Sequence, residues 1–185
     1  MKIMGIDPSL TSFAAVVYDT TDEKVVHAAN VRSKLRSNQR IDEILMAVTS
    51  EVFSYNVQLT FIEGYSFGSR GQGLYGLAEL GGVLRFAFYK RGFPYRVIPP
   101  TSWKKFVTGT GIADKTVVQN HIRRKGIEFP TEDLYDAFGV AITGTAWINA
   151  DNGVEQKLTQ YQEEAIKNLR FPVKKSRKKT KNDEI

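Results

Sequence analysis

Three β-prone segments open the chain, at residues 2–7, 12–19 and 24–32, and only PSLT and TTDE separate them. Connections that short cannot carry the crossover that parallel neighbours need, so the three predict an antiparallel meander. Ile41, Ile44, Leu45, Val48 and Val52 then recur at helical spacing, with Ser37 or Asn38 placed to cap the helix. A fourth strand is predicted over 58–63, a loop over 64–73, a helix from 74 to about 89, and a fifth strand over 95–98 that Pro99 and Pro100 stop. Helices follow over 114–124, 131–149 and 154–169, the last with Val154, Leu158, Tyr161, Ala165 and Leu169 along one stripe. A meander followed by alternating strands and helices predicts an α/β chain with a mixed sheet.

Four carboxylates fall at particular places in this pattern. Asp7 ends the first strand, Glu63 ends the fourth, and Asp133 and Asp136 lie three apart on one face of a helix. Brought together, they form a hard oxygen donor set suited to Mg²⁺ or Mn²⁺. Two such ions roughly 3.5–4 Å apart serve phosphodiester cleavage. Asp7 before Pro8 also suits a simple turn, and Asp133 suits the first turn of a helix. Asp136 lies among Ala137, Phe138, Val140 and Ala141, and Glu63 follows Leu59, Phe61 and Ile62. An ionised carboxylate on such an apolar face needs a partner, so these two point most directly to a site.

Charge is unevenly distributed. Seven of the 26 basic residues and two of the 20 acidic ones lie from Arg170 onward, so this end holds +5 of the formal +6. Residues 1–169 are predicted as a single domain and 170–185 as a flexible basic tail. Lys174, Lys175, Arg177, Lys178 and Lys179 in that tail suit a phosphate backbone, or serve only as a solubilising end. The chain has no cysteine, which excludes disulfides and thiolate metal sites and fits a cytoplasmic setting. MKIMGIDPS reaches an acid and a proline too soon for a signal peptide, and no apolar run approaches the ~20 residues of a membrane span.

The order of elements is that of the ribonuclease-H-like fold, a five-stranded mixed sheet flanked by helices. GIDPS, IEG, TGTGIADKTVVQ and DLYDAFGVA, in that order, resemble the RuvC family of Holliday junction resolvases. The resemblance covers residues 1 to about 150. It implies that Asp7, Glu63, Asp133 and Asp136 hold divalent metal, and that Lys115, with Lys104 or its neighbour Lys105, contacts phosphate near the junction centre. It further implies a homodimer that binds a four-way junction and nicks two symmetry-related strands, leaving 5′-phosphate and 3′-hydroxyl ends. Three-way branches and forks are further expected substrates.

Ser9 replaces the glycine of the family's GIDPG turn, and its junction-contacting aromatic aligns with Ser66. With the extra C-terminal helix and tail, these departures suggest a divergent, bacteriophage-type member acting in a bacterial host cytoplasm. Tyr65, Phe67 and Arg70 lie in a glycine-rich loop, where they either stack on bases and hold phosphate or tuck back onto the core. Gly76, Gly81 and Gly82 interrupt the next helix, as close helix–helix approach at a dimer interface would require. His27 and His121 read as solvated surface residues. Other readings are a non-cleaving junction-binding protein, a ribonuclease H acting on RNA–DNA hybrids, and a kinase of the actin type. The last needs a second lobe for which 185 residues leave no room.

Overall fold

The three opening strands pair as their short connections require. β1 (Lys2–Asp7), β2 (Phe13–Asp19) and β3 (Lys24–Val31) form the antiparallel meander in the computed structural model, which describes residues 1–65 and 72–172. α1 (Ser37–Ser54) carries the chain back to β4 (Leu59–Glu63), and α2 (Gln72–Arg91) leads to β5 (Tyr95–Ile98). β4 lies parallel to β1 and β5 parallel to β4, so the sheet is mixed with order β3-β2-β1-β4-β5. This is the five-stranded architecture expected of the sequence.

Alternate residues of each strand face opposite sides, which splits the core into two layers. Met4, Ile6, Val17 and Ile62 pack beneath α1 and α2, against Ile44, Val48, Leu80, Leu84 and Phe88. Ile3, Val16 and Phe61 pack on the other side. That side is covered by α3 (Pro100–Thr108), α4 (Lys115–Arg123), α5 (Glu132–Asp151) and α6 (Gln160–Arg170). α5 crosses the sheet centre and comes close enough that Phe61 fills the place where a side chain on Gly144 would project.

Three elements differ from expectation. α3 was not predicted, because Pro99 and Pro100 read only as a strand stop. Pro100 is in fact the first helical residue, a position where the missing N–H is no loss. α6 begins at Gln160 rather than 154, where Thr159 and Gln162 form a capping box. α1 is not capped by Ser37 or Asn38. Its N-cap is Arg36, without a side-chain bond, and Ser37 sits at a φ of 48°.

The glycines of α2 are explained in part within the chain. Leu10 packs against Gly76 and Tyr65 against Gly81, whereas a side chain at Gly82 would meet nothing within 4 Å. His27 is not a solvated residue: it stacks on Tyr55, whose hydroxyl is 3.0 Å from Nδ1, and its Nε2 lies 3.0 Å from Glu51. His121 is half-buried, with Nδ1 2.9 Å from the Val117 carbonyl. Among the described residues no helix is long and apolar enough to cross a membrane.

Candidate active site

β1 and β4 are parallel neighbours with Ile6 opposite Ile62, so Asp7 and Glu63 emerge side by side at the C-terminal ends of these two strands. α5 begins over those strand ends and brings Asp133 and Asp136 in its first turns. α3 and α4 close the flank with Lys104 and Lys115. All six side chains line one cleft of about 530 Å³. The acids scattered through the sequence are thus brought together.

The cleft disfavours negative charge. Asp7 and Asp136 are 9% and 6% exposed. Burial, and then the nearby Glu63, hold the Asp7 carboxyl well above the ordinary carboxylate range. Burial raises Glu63 as well, against the opposing hydrogen bonds from Trp103 and Asp7. Asp136 is pushed up to about 7, chiefly by burial and then by Asp7. Asp133 behaves oppositely: burial would raise it, but hydrogen bonds from Lys115 and Ser12 outweigh that and lower it.

Lys115 supplies the local positive charge. Its Nζ donates to Asp133 Oδ1 at 2.8 Å and lies 3.8 Å from Asp136 Oδ2, while Ser12 Oγ donates to Asp133 Oδ2 at 2.6 Å. Burial alone would lower the Lys115 pKa, but its acidic neighbours raise it, so it remains an ammonium. Among the described residues no three acids are already arranged as a set able to grip one ion. The donor chemistry nevertheless fits a divalent cation. Several buried carboxylates face one cleft, and their ionised forms lack enough positive charge from the chain itself.

Other expected site residues lie elsewhere or in other roles. Lys105 turns away from the cleft and pairs with Glu164 of α6 at 2.6 Å. Tyr65 lines the cleft but is tied to α2: its hydroxyl donates to the Ala78 carbonyl at 3.0 Å and accepts from Arg85 at 2.9 Å. Its ring also lies under the Arg85 guanidinium, so the tucked arrangement holds for this aromatic. Phe67, Arg70, Lys174, Lys175, Arg177, Lys178 and Lys179 fall outside the described residues, as does Ser66. Sequence reasoning missed Ser12 and Trp103. A tryptophan one position before Lys104, in an amphipathic turn opened by proline, was the available signal for the second.

The family model for crossover junction endodeoxyribonuclease RuvC matches residues 3–144. The RuvC protein of Prochlorococcus marinus strain NATL1A is 27% identical over 151 residues, covering 78% of this chain and 97% of its own. The Thermus thermophilus RuvC structure superposes with a TM-score of 0.69 at 21% identity, covering 83% of this chain and 98% of that one. The same relative solved in complex with a Holliday junction substrate gives 0.69 at 22% identity, over 83% of this chain and 97% of that one. At these identities the structural likeness is one of fold.

Proposed function

The chain belongs to the RuvC family of crossover junction endodeoxyribonucleases, and on that premise we propose that it resolves branched DNA, chiefly four-way junctions, in the cytoplasm. The observation that carries this reading is the convergence of Asp7, Glu63, Asp133 and Asp136 on one cleft flanked by Lys104 and Lys115. A Thermus thermophilus relative of the same fold is solved on a Holliday junction substrate, which supports the choice of DNA.

Asp7, Glu63, Asp136 and Asp133 would hold a pair of Mg²⁺ or Mn²⁺ ions. Such ions, when bound, lower the pKa of water and stabilise a departing 3′ oxygen. The chain's own residues do the rest. Three buried carboxylates, each disfavoured as an isolated anion, give the cleft its affinity for cations. Lys104 and Lys115 set two positive charges at the rim, where a phosphodiester would enter. Ser12 and Lys115 together hold Asp133 ionised and oriented. In this reading the basic residues from Arg170 onward add phosphate contacts.

The test is cleavage of labelled synthetic four-way, three-way and linear duplex substrates, with and without Mg²⁺. Paired metal-dependent nicks near the branch point, with 5′-phosphate ends, are expected. Junction binding without nicks, or cutting confined to an RNA–DNA hybrid, would overturn the reading. Lys115→Ala is expected to lower single-turnover cleavage about 10²-fold, with junction affinity little changed. Equal loss of affinity and rate would assign Lys115 to binding alone.

We also propose a homodimer built on α2. Tyr75, Phe86 and Tyr89 are 78%, 63% and 75% exposed and fall with Gly82 along a single stripe. An apolar stripe of this kind with a glycine at its centre suits close contact with a second copy. A two-fold pair of sites matches the opposed strands of a junction. Phe86→Asp is expected to give a monomer by light scattering that makes single rather than paired nicks. A variant that stays dimeric would place the interface elsewhere.

A further inference from the structure

Trp103 is fully buried, yet its polar atom is spent on the candidate site. The indole Nε1 donates to Glu63 Oε1 at 2.8 Å across 40 positions of sequence. A buried indole N–H needs an acceptor, and a neighbouring backbone carbonyl would serve a merely structural tryptophan equally well. Its ring is also fitted to α5: a side chain on Gly139 would come within 2.8 Å of Trp103 Cε3. Gly139 is three residues beyond Asp136 and on the same helix face. The indole therefore lies wedged between the strand end that carries Glu63 and the helix that carries Asp136. α3 itself is braced from outside by α6, through the Lys105–Glu164 pair.

We propose that Trp103 is a positioning residue for the reaction, holding one oxygen of Glu63 so that the other is presented to the cation-binding side of the cleft. This rests on the metal-dependent nuclease reading above. The indole hydrogen bond, beside the one from Asp7, favours a single orientation of the Glu63 carboxylate before any cation arrives, and the Gly139 notch holds the indole in place. Partners of this kind around a metal ligand typically change metal affinity by roughly 10–100-fold when removed.

Trp103→Phe in the full chain removes the donor and keeps a smaller aromatic ring on α3, giving up part of the ring that meets Gly139. Its Mn²⁺ affinity, measured by calorimetry without DNA, is expected to fall roughly 10–100-fold. The metal midpoint for cleavage should move by the same factor, saturating metal should restore most of the rate, and metal-free junction affinity should not change. Added to Glu63→Gln, the substitution should cause no further loss of Mn²⁺ affinity, because it acts through that residue. A wild-type metal midpoint in Trp103→Phe, or a further loss on top of Glu63→Gln, overturns the proposal. Should Trp103→Phe fail to fold, Trp147→Phe leaves Trp103 as the one remaining tryptophan. Its emission should then change saturably with Mn²⁺, and emission indifferent to saturating Mn²⁺ overturns the proposal. Wild-type protein that binds no Mn²⁺ at all is a separate outcome, which overturns the nuclease reading together with this one.

Discussion

Asp136→Asn is expected to abolish cleavage, by on the order of 10³-fold or more, and at the same time to raise the melting temperature of the metal-free protein at pH 8. The two effects have one cause. Asp136 lies among apolar residues beside Asp7, and its carboxyl is held near 7 instead of its ordinary 3.8. The folded state therefore keeps a proton there that the unfolded chain has already lost. Its contribution to stability is fully present below about pH 4 and is lost as pH rises toward 7. Above that, folding opposes ionisation by up to about 4 kcal/mol, or roughly 10 °C in a domain of this size.

Asparagine removes that opposition because it cannot ionise, although Lys115 then loses one of its two anionic neighbours and returns part of the gain. The gain in melting temperature should be absent near pH 4 and complete above about pH 7. A divalent cation should reproduce much of the stabilisation in the wild-type chain at pH 8 and far less of it in the variant. Junction binding in metal-free buffer should persist. Unimpaired cutting, or a variant less stable than wild type at pH 8, would remove Asp136 from the site.

The same physics explains what was legible in the sequence. Glu63 and Asp136 stood out because an ionisable group on an apolar face needs a reason, and no local cap or turn supplied one. The antiparallel meander followed from connection lengths: PSLT and TTDE permit only a hairpin, whereas the stretches leading to β4 and β5 are long enough for helical crossovers. α3 was hidden because the Pro99-Pro100 pair ends a strand and opens a helix with the same residues. Contacts between distant segments carry no local signal. The Trp103–Glu63 bond, the seating of Tyr65 against Gly81 and the pairing of Lys105 with Glu164 all arise from packing. The choice between Lys104 and Lys105 depends on which face of a short helix meets α6, and that helix was not foreseen.

Gly5→Ala is expected to cost more than the usual small-to-large change in a core, and to disable the site even in the fraction that folds. Gly5 lies in the middle of β1, paired with Val16 on one side and Phe61 on the other, directly beneath α5. A methyl group there would overlap the Ala137 carbonyl oxygen and lie 2.6 Å from the Ala141 nitrogen and 2.8 Å from its Cβ. Two of these three contacts are backbone atoms, so no change of rotamer can relieve them. Either β1 or α5 must move as a unit. Overpacking that side chains can absorb costs about 1–3 kcal/mol, and this case belongs at or above the upper end. The melting temperature should fall by about 6–12 °C. Asp7 lies two residues along β1, and Asp136 directly precedes the helical residue that Gly5 touches, so the displacement acts between two of the four carboxylates. Cleavage should therefore stay depressed well below the new melting temperature, with the metal midpoint shifted upward. A Gly5→Ala protein that melts and cuts like wild type would show that α5 can lift from the sheet without disturbing the acids.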